Sequence, residues 1–190
     1  KERHRRGLLD DHRLAAAAAD GDQEAFASLV RRYRPYVYRI AYKIALHEDD
    51  ALDITQNVFI RLAAKMSLFD PAGSFKAWLA TIAAREAINH LRRPSRRETA
   101  VQPEAMASFS EATETQNPRK ELEAVERRQR VEQAMIHLSP QQRAIMTLRL
   151  SEDIGPKAIA DQLGIPARQV RIQLHRGIAK IRRTLNEENF

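Results

Sequence analysis

Apolar residues in this 190-residue chain recur at every third or fourth position, and nowhere do they keep the two-residue alternation of a half-buried strand. Such a pattern leaves helices as the only regular element. The helical runs fall into two blocks. Between them, Pro94 to Pro118 is rich in Ser, Thr, Pro, Gln and Glu, with four glutamates and no basic residue between Arg97 and Arg119. A stretch so poor in large apolar side chains cannot offset its ordering entropy by burial, and it reads as a flexible acidic linker. The expected fold is all-α: two small helical domains, residues 8–93 and 119–190, joined by the linker 94–118, each with a modest core of its own.

Punctuation along the first block sets its helices. Lys1 to Arg6 with Gly7 reads as a frayed lead-in. Leu8 to Ala19 favours a helix that Asp20-Gly21 ends, and Asp22 caps the next one. There Phe26, Leu29, Val30 and Tyr33 share a face, Pro35 punctuates, and Val37, Ile40, Ala41 and Ile44 resume the pattern. Acidic Glu48-Asp49-Asp50 then starts a helix with Ile54, Val58, Phe59 and Leu62 inward. After a loop at Phe69 to Gly73, Ser74 caps a helix that buries Phe75, Trp78, Leu79, Ile82 and Ala83. On the same segment Arg85, Asn89, Arg92 and Arg93 form a basic stripe away from the core.

In the second block the helical pattern resumes at Leu122, Val125, Val131, Ala134 and Met135. Ser139-Pro140-Gln141-Gln142 combines a capping box with proline at the first helical position. Gly155-Pro156 opens a short helix, Gly164-Ile165-Pro166 makes a tight turn, and a longer helix follows with Val170, Leu174, Ile178, Ile181 and Leu185 inward. Ala160, Gly164 and Val170 stand at helix-turn-helix spacing: a small residue at the crossing, glycine in the turn, a branched residue setting the angle. The outer face carries Arg168, Arg171, Ile172 and His175, flanked by Gln169, Gln173 and Arg176. These suit a major groove, because arginine pairs with guanine, glutamine with adenine, and isoleucine touches a thymine methyl. They also suit a solvated basic face of a plain bundle.

Charge points the same way: 32 Lys and Arg against 25 Asp and Glu, net +7, imply a polyanionic partner. No apolar run approaches the ~18 residues that span a bilayer, so no membrane insertion and a cytoplasmic location are expected. The chain has no cysteine, which agrees with a reducing compartment and excludes disulfides and thiolate chemistry. Gly-rich phosphate loops, Gly-x-Ser-x-Gly and His-Glu-x-x-His are missing, and His4, His12, His47, His90, His137 and His175 are scattered. No catalytic residue, metal or cofactor is therefore expected. Glu48, Asp49, Asp50 and Asp53 could be imagined around magnesium, but hard-cation sites favour a shaped loop over a helix start.

Both blocks resemble the bacterial extracytoplasmic-function sigma factors. Leu138-Ser139-Pro140-Gln141-Gln142-Arg143 through Leu185 looks like their fourth conserved region, which reads the minus-thirty-five element. Asp50-Ala51-Leu52-Asp53-Ile54-Thr55-Gln56-Asn57-Val58-Phe59 resembles the second-region helix that docks on the clamp coiled coil of RNA polymerase. Phe75-Lys76-Ala77-Trp78-Leu79, then Ile82-Ala83 and Leu91-Arg92-Arg93, is similar to the part that opens the minus-ten element. The resemblance implies core polymerase (clamp coiled coil and flap), promoter DNA and an anti-sigma factor as partners. It implies core docking by Asp49, Asp50, Asp53, Ile54, Gln56, Asn57 and Phe59. It implies minus-ten contacts from Phe69, Lys76, Trp78, Arg85, Asn89, Arg92 and Arg93, and minus-thirty-five contacts from Arg168, Gln169, Arg171, Ile172, Gln173, His175 and Arg176. A tryptophan in an apolar stripe also fits plain core, and an acidic helix face also fits a solvated one. A polymerase-independent helix-turn-helix regulator, dimerising through the first block, is the alternative.

The chain departs from the family pattern where Arg85 replaces a common asparagine and Asn57 a common acidic residue. Pro166-Ala167-Arg168-Gln169-Val170 also departs from the common proline-x-glycine-threonine-valine, and Gly155-Pro156-Lys157 from a serine-containing start. The last two changes imply an unusual minus-thirty-five sequence, Asn57 implies modestly weaker docking, and Arg85 leaves the minus-ten base preference open.

Overall fold

The computed structural model describes residues 2–70, 72–93, 130–131 and 133–187, and among the described residues every regular element is a helix. The amino-terminal body holds α1 (Glu2–Ala19), α2 (Gln23–Ala45), α3 (Glu48–Lys65), a single 3-10 turn (Met66–Leu68) and α4 (Phe75–Leu91). The carboxyl-terminal body holds α5 (Pro140–Leu150), α6 (Pro156–Leu163) and α7 (Ala167–Glu187). The linker 94–118, and the pattern residues Leu122 and Val125, lie outside the described residues; Ala134 and Met135 are buried as expected.

Local chemistry accounts for the element ends. Gly21, at φ +97°, closes α1, and the Asp22 carboxylate then accepts from the amides of Glu24 (2.9 Å) and Ala25 (3.0 Å), a cap worth about 1 kcal/mol. Ser74 caps α4 through the Ala77 amide at 3.3 Å. At the start of α5 the capping box forms in full: Ser139 Oγ accepts from the Gln142 amide at 3.3 Å, and Gln142 Oε1 accepts from the Ser139 amide at 3.1 Å.

Two boundaries differ from expectation. α1 starts at Glu2 and includes Gly7, a helix-interior cost of about 1 kcal/mol that the surrounding good helix formers absorb. α2 runs unbroken through Pro35, despite about 3 kcal/mol lost with its missing amide and ring clash. Its apolar stripe explains why: Leu29, Tyr33, Tyr36, Val37, Ile40, Ala41 and Ile44 on either side of Pro35 are all buried on one face, so a helix break would unseat all of them.

α2 is the axis on which α1, α3 and α4 pack. α1 is fastened by Asp11, a buried carboxylate that accepts from Tyr33 Oη at 2.5 Å and pairs with Arg32. Around Tyr33 an aromatic cluster forms: Phe75 meets it edge-on at 5.2 Å between centroids, and Phe69 meets Phe75 edge-on at 5.4 Å.

The two bodies share one packed interior. α5 lies against both α2 and α4, and six consecutive residues, Arg143 to Leu148, are buried in it. A helix covered all round needs neighbours on both sides, and the amino-terminal body supplies one of them. Arg143 is the joint: its Nε donates to the carbonyl of Ile44 at the end of α2 (2.6 Å), and Nη1 donates to the carbonyl of Leu138 (2.8 Å). The two separate cores expected from the sequence are thus joined, because a basic residue in an amphipathic pattern gives no sign that it will be buried against backbone carbonyls.

Burial and their carboxylate partners, Asp11 and Glu152, push the hydroxyls of Tyr33 and Tyr36 well above the ordinary tyrosine pKa of 10.0. An acid whose folded pKa is raised lends stability that is intact below its unfolded pKa and is lost as pH climbs above it. In alkaline titration, tyrosinate absorbance from these two residues should therefore appear only well above pH 10 and together with loss of helical signal. Their ionisation near pH 10 in an intact fold would contradict the geometry.

Candidate nucleic-acid and polymerase interfaces

The helix-turn-helix comprises α6, the turn Gly164-Ile165-Pro166, and α7. Gly164 takes the left-handed conformation (φ +67°) at the end of α6, and its N–H donates to the carbonyl of Ala160. Val170, Leu174 and Ile181 face inward. Gly177 completes the stripe, where a Cβ would stand 3.2 Å from Met146 Sδ on α5. Ile178, expected inward, is 38% exposed; the turn of the helix puts Gly177 on the buried line instead, and glycine carries no apolar signal. Arg168, Arg171, Ile172, His175 and Arg176 are exposed, and Gln169 and Gln173 are half-buried at the edges of that face. The α7 face is thus open, cationic and polar, with one apolar tip at Ile172 (39% exposed).

On α4, Arg85 and Asn89 are exposed, and Arg92 and Arg93 continue beyond its end, also exposed. Trp78 is half-buried, 5.3 Å from Phe69 and 6.1 Å from Phe75 between centroids. With Arg61 and Lys65 of α3, residues Trp78, Arg85 and Asn89 line a cleft whose far wall is Asp161 and Gln162 of α6. Lys76 lies over the Tyr36 ring at 4.7 Å and 3.6 Å from the Glu152 carboxylate. Phe69, expected among the minus-ten contacts, is buried instead. It is only 8% exposed, because its ring packs against those of Phe75 and Trp78. Arg61 and Lys65 went unnoticed in the sequence, since only the crossing of α3 over α4 brings them to the cleft.

On α3, Asp49, Asp53 and Gln56 are exposed and Asn57 and Phe59 half-buried. Two expected members of this face are buried instead. Asp50 lies 3.0 Å from His90 Nε2 of α4, with both side chains nearly inaccessible, so its carboxylate satisfies a core histidine rather than a partner. Ile54 is fully buried with Ala51, Val58 and Leu62, on the line that packs toward α2 and α4. Missed were Leu52 (46% exposed) and Ile60 (61% exposed). They stand four residues either side of Gln56 and half a turn out of phase with the buried stripe, and that phase was the available signal.

Among the described residues, then, the fold is a helical DNA-binding protein of two modules, a helix-turn-helix and a four-helix body with acidic and basic faces. The Sigma-70 region 2 family model matches residues 29–97, and the Sigma-70, region 4 model matches residues 128–181. The chain is 30% identical over 173 residues to the ECF RNA polymerase sigma-E factor of Escherichia coli, covering 88% of this chain and 90% of that one. It is 26% identical over 172 residues to the ECF RNA polymerase sigma factor SigW of Bacillus subtilis, with 88% and 92% covered. It is 31% identical over 169 residues to the ECF RNA polymerase sigma factor SigE of Mycolicibacterium smegmatis, covering 86% of this chain but 64% of that protein's length. Among solved structures, CnrH in complex with the cytosolic domain of CnrY has the same fold, at TM-score 0.60 and 24% identity, with 94% and 98% covered. So has the sigma factor RpoE in complex with the anti-sigma factor NepR from Bartonella quintana, at TM-score 0.62 and 18% identity, with 85% and 96% covered. The chain belongs to the extracytoplasmic-function RNA polymerase sigma factors. It binds core RNA polymerase and directs promoter-specific initiation of transcription.

Proposed function

We propose that three faces divide the work of initiation. The outer face of α3, with Asp49, Asp53, Gln56, Asn57 and Phe59 joined by Leu52 and Ile60, docks on core polymerase: carboxylates meet a basic coiled coil while exposed apolar side chains bury area. The face of α4 with Lys76, Trp78, Arg85, Asn89, Arg92 and Arg93 receives the unpaired minus-ten strand, cations on phosphates and the indole beside a base. The outer face of α7, with Arg168, Gln169, Arg171, Ile172, Gln173, His175 and Arg176, reads the minus-thirty-five major groove. Residues 8–93 and 119–190 are the working units, with 94–118 as their connection. An anti-sigma factor is a further partner. No described helix is long and apolar enough to cross a membrane, and the chain acts in the cytoplasm, without catalytic chemistry of its own.

The observation that carries this reading is the exposed cationic row on α7, opposite a fully packed inner stripe and directly after a left-handed glycine turn. Run-off transcription with bacterial core polymerase on a promoter of the protein tests it: start-site-specific transcripts are expected, and an absence of sequence-dependent initiation overturns it. Within that assay Arg171→Ala is expected to weaken promoter binding by about 1–3 kcal/mol and to relax one base of the minus-thirty-five site, as loss of a bidentate guanine contact does. Binding footprints on a base-substituted promoter series check it, and a loss equal at every base would mark a phosphate contact instead.

A further inference from the structure

Glu86 is a buried acid that the three faces leave unused. It lies on α4 at 2% exposure, and its neighbours along the helix, Ala83, Ala84 and Ala87, are fully buried as well, so an apolar side chain would be the ordinary choice there. Taking a carboxylate out of water is costly unless a well-placed cation meets it. Arg61, reaching over from α3, supplies that cation: its Nε stands 2.5 Å from Glu86 Oε2. The pair is lopsided, with the carboxylate closed off and the arginine side chain 49% exposed. Stability alone does not call for it. Ile54, Val58 and Leu62 already pack α3 inward, and a buried acid can often be replaced by an apolar residue without loss when its partner can return to water.

What the pair does is fix the arginine. Both residues line the cleft that also holds Lys65, Trp78, Arg85 and Asn89. Engaged at Nε, the guanidinium is held along one edge and keeps its outer Nη donors for the open side. An unanchored surface arginine samples many rotamers, and a ligand that binds it must first still them. Arg61 has surrendered that freedom to Glu86 beforehand. The part of the planar fork that remains suits one chemistry above others, the oxygens of a phosphate.

We propose that Glu86 is a positioning residue: it presents Arg61 to a backbone phosphate of the unpaired minus-ten strand, so that α3 as well as α4 grips that strand. The proposal rests on the reading of the α4 face given above, and adds to it a contact from α3 and the buried acid behind that contact. The sign of one effect separates positioning from plain charge. Glu86 is an anion beside a cationic cleft, so its removal by itself should strengthen attraction for a polyanion. Under positioning, an apolar replacement weakens the grip even though the cleft gains net positive charge.

The measurement is binding of a dye-labelled single-stranded minus-ten oligonucleotide to holoenzyme reconstituted from core polymerase and each full-length variant. Glu86→Leu fills the buried site without charge and leaves Arg61 hydrated at the surface, and Glu86→Ala is a second apolar change should leucine not fit. Whichever is folded by circular dichroism should bind about three- to tenfold more weakly than wild type, the effect of returning rotamer freedom to one long side chain. Glu86→Gln keeps an acceptor for Arg61 Nε and should bind more tightly than the apolar variants. Arg61→Ala alone would strand a buried carboxylate, so the arginine's own contact is read from Arg61→Ala/Glu86→Leu. Against Glu86→Leu that double variant should lose about tenfold more affinity, and the slope of log affinity on log salt should shrink by about 0.7, one single-strand phosphate. Apolar variants that bind as tightly as wild type or more so, a glutamine variant no better than they are, or a double variant equal to Glu86→Leu would each overturn the proposal. Trp78→Ala and Arg85→Ala separate it from the reading on which it rests. If they weaken binding while the Glu86 and Arg61 changes do not, the proposal falls and the α4 reading stands; if no change at any of the four positions weakens binding, both fall.

Discussion

Phe75→Ala is expected to destabilise the amino-terminal body by about 3–5 kcal/mol, the cost of deleting a ring from a closed core. The Phe75 side chain is 2% exposed and touches three aromatic neighbours, Tyr33, Phe69 and Trp78, so no side chain can swing in to refill the space. Small domains hold only about 5–15 kcal/mol in total, so the loss should be plain in urea unfolding followed by circular dichroism. Under the minus-ten assignment proposed for α4, the consequence extends to promoter opening, because Phe75 is one of the two rings packed on Trp78 at the cleft. Phe75→Leu, which keeps most of the volume, should recover much of the stability. A loss below about 1 kcal/mol for the alanine variant, the range of surface changes, would mean that the aromatic cluster is not the centre of this body.

Arg143→Ala should cost about 3 kcal/mol, for a different reason. Its guanidinium donates to the carbonyls of Ile44 and Leu138, and truncation leaves both without that donor in a dry setting, at about 1–3 kcal/mol each. Burial lowers its pKa to about 10, so the group is still cationic at neutral pH and its desolvation is already part of the folded state's energy. Arg143→Met removes that cost along with the hydrogen bonds and fills similar volume, so it should lose less than the alanine variant. Urea midpoints of the two variants check the order. If methionine proves the worse, the carbonyl contacts are not what the arginine contributes.

Much of the architecture can be read from local chemistry. The capping box at Ser139, the left-handed turn at Gly164 and the cap at Asp22 are decided by residues within four positions of each other, and the helix starts and stops follow from them. The exposed cationic face of α7 is legible for the same reason: period and charge on one helix settle which side is open. What escaped depends on residues far apart. Asp50 looks like a docking carboxylate until His90, forty residues away, takes it into the core. Phe69 looks like a loop aromatic until Phe75 and Trp78 close around it. Arg143 looks like an exposed cation until the end of α2 arrives beneath it. In each case a polar or loop residue is buried by a partner that no periodicity announces, and for Arg143 that partner also joins the two bodies.

The Asp11 carboxylate has a bearing on where this molecule can be cut. The region 2 family match begins at residue 29, yet Asp11 reaches from α1 to Arg32 and Tyr33 inside that match, with Ala15 and Ala18 buried behind it. A fragment trimmed to the family boundary would therefore strip the lid from α2, strand a tyrosine hydroxyl without its acceptor, and expose a greasy flank. Experimenters dissecting this sigma factor should keep the first helix with the second, whatever domain limits suggest.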